Sequence, residues 1–178
     1  MPKTNSKPSS KKLIIIAIAT LVALAVFGFV FYQILGGSGK KVEVEETLVL
    51  DAEYKNTDGK QIELAKESED PAAFLDQMLE DKKSFVLYVS LPICNGDAAK
   101  FKQYVLDFQR REQVSFYYLT SDYIKDSKIY ETIKYFPSVI IVKDGKIINY
   151  LRYDSDEDVE FYKSYDGFSK WFKTNVEY

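Results

Sequence analysis

The chain contains no histidine and only one cysteine, Cys94. Without histidine there is no Ser-His or Cys-His catalytic pair, and the commonest metal ligand is missing. One cysteine excludes an intramolecular disulfide and any multi-cysteine zinc site. No Gly-rich phosphate loop, metal-ligand cluster or nucleophile elbow is present either. Basic residues are scarce beyond the start. Of 24 lysines and arginines, four lie in residues 1–12, leaving 20 against 27 acids in the remainder. An acidic domain with no basic stripe argues against nucleic-acid binding. Acidic residues alternate at Asp154, Asp156, Asp158 and Glu160 in YDSDEDVEFY. A calcium loop of that type needs glycine at position six and glutamate at twelve, where Val159 and Tyr165 stand. The run therefore reads as a solvated acidic loop. No metal and no cofactor is expected.

Apolar residues, by contrast, are plentiful. With 178 residues, 46% hydrophobic and 15% aromatic, the chain can build one real core and something extra. The extra part comes first. LIIIAIATLVALAVFGFVFYQIL, residues 13–35, carries no charge. Its 23 residues would span about 34 Å as a helix, against a hydrocarbon core of about 30 Å. Lys3, Lys7, Lys11 and Lys12 precede it, so the positive-inside rule puts the N-terminus in the cytoplasm. Tyr32 falls where an interfacial aromatic would sit. A cleaved signal peptide is the competing reading. The apolar run is longer than such peptides use, and neither an A-x-A site nor a lipobox cysteine follows. The expected organisation is a cytoplasmic basic tail (1–12), a single-pass transmembrane signal anchor (13–35), a flexible linker (36–41) and an extracytoplasmic domain (42–178). Gly36, Gly37, Ser38 and Gly39 supply the joint.

Beyond the joint, VEVEETLVLDAEY (42–54) alternates like a strand, and QIEL after the NTDG turn suggests a second, short one. Asp70 and Pro71 open an amphipathic helix with Phe74, Leu75, Met78 and Leu79 inward and Asp76, Glu80 and Asp81 toward solvent. SFVLYVSL (84–91) is a continuous apolar run, as in a strand covered on both faces. Asp97 is the expected N-cap of the next helix, with Phe101, Tyr104, Val105 and Phe108 inward. VSFYYLTS (114–121) is another buried strand, and residues 122–135 suggest a third helix or helical turn around Ile129 and Ile133. In FPSVIIVKDGKIINYLRY (136–153), two β-branched runs flank Asp-Gly, a hairpin mark. YDGFSKWFKTNV (165–176) is helical with Phe168, Trp171 and Phe172 inward. Tyr117, Tyr118, Tyr123, Tyr162 and Tyr165 are candidates for partial exposure. Strands alternating with helices form parallel pairs and the hairpin adds antiparallel ones. The fold class is α/β, a mixed sheet with helices on both faces.

The order, with a cysteine loop between a buried strand and a long helix and with Pro137 opening the last hairpin, resembles the thioredoxin-like family over roughly 70–176. The resemblance implies a Cys-x-x-Cys site at the helix start, a proline loop beside it, and recognition of extended peptides there. Here the four residues are Cys94-Asn95-Gly96-Asp97, so the second thiol is replaced. The family's acid about six residues before the first cysteine is Tyr88, and its tryptophan just before it is Ile93. Without a second thiol the dithiol cycle cannot close within one chain. Asp97 also opposes the helix-end field that would favour a thiolate. The expected function is a membrane-tethered binding or accessory module for another membrane or exported protein, or an extended peptide. Its contact residues would be Pro92, Ile93, Asp97, Phe136 and Pro137. The alternatives are a monothiol disulfide exchanger with Cys94 as nucleophile, and an intermolecular disulfide through Cys94.

Overall fold

A computed structural model describes residues 46–178. The expected anchor, tail and linker lie outside the described residues, and among those no helix is long and apolar enough to cross a membrane. The elements, in order, are β1 (Leu48–Val49), a 3₁₀ turn (Ala52–Tyr54), β2 (Gln61–Glu63), α1 (Leu64–Glu67), α2 (Pro71–Glu80), β3 (Phe85–Ser90), α3 (Gly96–Glu112), β4 (Phe116–Thr120), a second 3₁₀ turn (Ile124–Asp126), α4 (Ile129–Thr132), β5 (Ser138–Lys143), β6 (Lys146–Tyr150), α5 (Val159–Lys163), α6 (Tyr165–Asn175) and β7 (Val176–Glu177).

The main sheet has the order β2-β4-β3-β5-β6. β2, β4 and β3 run parallel, whereas β5 and β6 run antiparallel to their neighbours. This is the mixed sheet of parallel and antiparallel pairs that the element order predicts. β3 is central and buried along its whole length, which accounts for its unbroken apolar run. Alternation divides its side chains between two layers. Tyr88 meets Phe101 of α3, and Phe116 of β4 stacks on Phe172 of α6. Phe85 and Tyr117 point the other way, where Tyr117 also meets Tyr54. Phe108 touches Phe116, Phe168 and Phe172, so one ring joins α3, β4 and α6. At the β5–β6 turn, Asp144 (φ +50°) and Gly145 (φ +73°) are both left-handed, the conformation that a two-residue hairpin of this twist requires.

Several expectations need correction. Of residues 42–54 only Leu48–Val49 is a strand among those described; it pairs in parallel with β7, and Ala52–Tyr54 is a 3₁₀ turn. Of the helix or helical turn expected at 122–135, the structure has two single turns, separated at Ser127 by extended backbone. Asp76 does not merely face solvent. Its carboxylate accepts hydrogen bonds from Ser127 Oγ (2.7 Å) and from the Lys128 amide (2.9 Å), fixing that interruption to α2.

Candidate functional site

The parallel course of β3 and β4 brings their C-terminal ends to one edge of the sheet. β5 begins at that edge, since Val89 pairs with Ser138, and β6 ends there, since Ile140 pairs with Tyr150. The cysteine loop follows β3 and the proline loop precedes β5, so topology alone sets them side by side.

The cysteine loop is tied to the strand end by one carbonyl. Leu91 O accepts from Ser90 Oγ (3.2 Å) and from the Cys94 thiol (3.3 Å). Ser90 Oγ also pairs with the Tyr118 hydroxyl at 2.8 Å. Cys94 is half-buried, while Pro92 and Ile93 stand in solvent, Ile93 at 81% exposure. α3 opens at Gly96, whose φ of +53° lies in the left-handed region that glycine adopts at no steric cost. This shifts the helix start. Asn95, not Asp97, occupies the N-cap position, and its side chain makes no cap hydrogen bond. Asp97 lies one residue inside the helix, with its side chain 78% exposed and ion-paired to Lys100 at 3.0 Å. That pair lifts the Lys100 ammonium above its usual value, chiefly through the hydrogen bond to Asp97.

In the proline loop, the Phe136–Pro137 bond is cis. Pro137 is buried, and its carbonyl accepts from the Tyr162 hydroxyl at 3.0 Å. Tyr162 is therefore buried rather than partly exposed. Phe136 is half-buried and stacks on Tyr130 with ring centroids 6.4 Å apart. Its amide and carbonyl pair with no backbone group among the described residues.

Beneath the two loops lies Tyr88. It is fully buried, and its hydroxyl finds no hydrogen-bond partner among the described residues. Burial pushes its phenol well above the ordinary value, and the neighbouring Cys94 and Tyr118 push the same way. The phenol at this buried position thus keeps its proton and is no general base.

The structure brings together Pro92, Ile93, Cys94, Asp97, Phe136 and Pro137 at one sheet end. Sequence reasoning missed the groove beside them. It has a volume of about 610 Å³ and is walled by Tyr104, Tyr153, Val159 and Tyr162, with Asp97, Lys100 and Lys163 at the rim. Tyr153 and Val159 were its signal, being large apolar residues just before and within an acidic run. That run is held by Arg152, whose guanidinium pairs with Glu157 (2.6 Å) and Asp158 (3.2 Å). No group of residues able to hold a metal ion occurs among the described residues.

No family model and no curated protein matches the chain. Among solved structures, a thioredoxin from Trypanosoma brucei brucei is similar at 12% identity with a TM-score of 0.41, covering 70% of this chain and 97% of that one.

Proposed function

We propose that the chain is a membrane-tethered, extracytoplasmic binding or accessory module that lacks dithiol chemistry. Residues 13–35 would cross the bilayer with the N-terminus in the cytoplasm, and residues 36–41 would join the anchor to the domain. The partner would be another membrane or exported protein, met through an extended segment at the Pro92–Asp97 and Phe136–Pro137 loops.

The observation that carries this reading is the residue three places after the only thiol. It is Asp97, which is solvent-exposed and ion-paired to Lys100. A mixed disulfide formed at Cys94 would find no second thiol in the chain to resolve it. Recognition has no such requirement. An extended segment needs free backbone groups and side-chain contacts, and Phe136 offers the first while Pro92 and Ile93 offer the second.

Monothiol exchange is the second reading, favoured by the half-exposed position of Cys94. In it the Cys94 thiolate attacks a partner disulfide, forms a new S–S bond and releases the partner's other sulfur as thiolate. An external thiol then attacks the mixed disulfide and frees Cys94.

Photo-crosslinking separates the two. A photoreactive residue at position 93 or 136, in membranes with the full chain, is expected to capture a discrete partner equally well in a Cys94→Ser background. Capture that depends on the sulfur would support exchange, and the absence of any discrete adduct at both positions would defeat the module reading.

A further inference from the structure

Of the six large hydrophobic side chains exposed among the described residues, five are Ile93, Tyr123, Tyr135, Tyr153 and Val159. Ile93 follows β3, Tyr123 follows β4, Tyr135 precedes β5, and Tyr153 and Val159 follow β6. By the strand registers, all these loops lie at the same end of the sheet. The loops at the opposite end expose Asp58, Lys60, Lys82, Lys83, Asp144 and Lys146 instead. Random scatter of surface apolar residues needs no explanation, but their segregation to one end marks a contact surface.

The charge on this surface is uneven. Lys100 is neutralised by Asp97, and Arg152 by Glu157 and Asp158. Asp154, Asp156 and Glu160 are exposed and form no ion pair among the described residues. Lys163 is the one cation at the groove with no carboxylate partner among them. Counting both, the groove and its acidic flank carry an excess of negative charge.

We infer that the groove between α3 and α5 selects a cationic partner: a polypeptide segment with one large apolar or aromatic side chain flanked by lysine or arginine. The aromatic walls take the apolar side chain, and the loop from Asp154 to Glu160 takes the flanking cations. The groove volume of about 610 Å³ exceeds what one aromatic side chain fills, so neighbouring methylenes of lysine enter with it. Arg152 keeps the acids in place by tethering Glu157 and Asp158. An anionic bilayer is disfavoured as the occupant, since these carboxylates would meet like charge. The inference rests on the reading of the domain as a peptide-binding module.

The test uses three labelled peptides, each with a central phenylalanine, flanked by lysines, serines or glutamates. Fluorescence anisotropy measures their binding to the full chain in phosphatidylcholine nanodiscs. The lysine peptide is expected to bind best, and to lose about tenfold in affinity in the Asp154→Asn/Asp156→Asn/Glu160→Gln variant. Raised salt should weaken it similarly, while the serine peptide should be indifferent to both. These residues are on the surface, so an unchanged melting curve accompanies the loss. Equal or tighter binding of the glutamate peptide would overturn the inference. If the serine peptide binds, is lost in Phe136→Asp, and lysines add nothing, the module reading stands and the charge selection falls. If no peptide binds, both fall. Self-association that the peptide does not displace would also overturn it.

Discussion

Two buried tyrosines at the site have opposite hydroxyl environments. Tyr162 donates to the Pro137 carbonyl at 3.0 Å, whereas Tyr88 donates to nothing among the described residues. An unpaired buried hydroxyl costs free energy that a paired one recovers. Tyr162→Phe should therefore lose about 1 kcal/mol and leave the Pro137 carbonyl unpaired. Tyr88→Phe should be neutral or gain up to about 1 kcal/mol, since the ring contacts with Phe101 and Tyr118 persist. Urea midpoints at constant slope decide both. A clear loss in Tyr88→Phe would mean that its hydroxyl has a partner after all. At this scale the sequence was partly legible. Tyr88 could be placed at the acid position because β3 is a continuous apolar run, and Cys94 followed from the loop after it. The hydroxyl contact of Tyr162 could not be read, because it joins residues 25 apart through a loop whose path only tertiary packing sets.

Among elements, α2 shows how one carboxylate organises a neighbour. Asp76 accepts two hydrogen bonds from the Ser127–Lys128 corner, where the chain passes between two single helical turns. Asp76→Ala should cost about 1–2 kcal/mol, as loss of a capping carboxylate does. Amide exchange should rise at Lys128 more than elsewhere, and an unchanged rate there would contradict this. The longer elements were legible for physical reasons. α2, α3 and α6 have apolar stripes at helical spacing, β3 and β5 are buried β-branched or aromatic runs, and Asp144-Gly145 marks its turn in the local sequence. The short elements were not. β1 is two residues long and pairs with the far end of the chain, so nothing local specifies it. The start of α3 was misplaced by two residues because Asp97 is a good capping residue, while the left-handed Gly96 sets the entry into the helix.

Over the whole molecule, the tyrosines couple stability to pH. Tyr54, Tyr88, Tyr162 and Tyr178 all have phenol values raised, with burial the largest cause in each. A raised value means that the native state holds its proton after the unfolded state has released it. The stability these groups contribute is present in full below about pH 10, the ordinary phenol value, and is lost as pH climbs above it. Each tyrosine adds a slope of about 1.4 kcal/mol per pH unit there. Alkaline titration followed by phenolate absorbance should show a cooperative step coincident with loss of secondary structure, and independent, non-cooperative titration near pH 10 would refute burial of these rings. The mixed sheet was foreseeable from the element sequence, but the strand order and the collection of exposed aromatics at one end emerge only once strand pairings and directions are known.

The reading of the molecule as a recognition domain is tested most directly by disulfide turnover. Insulin reduction with dithiothreitol as electron source is measured for the full chain and for Cys94→Ser. The account predicts the uncatalysed rate for both, and turnover above that rate that disappears with the Cys94 sulfur would contradict it.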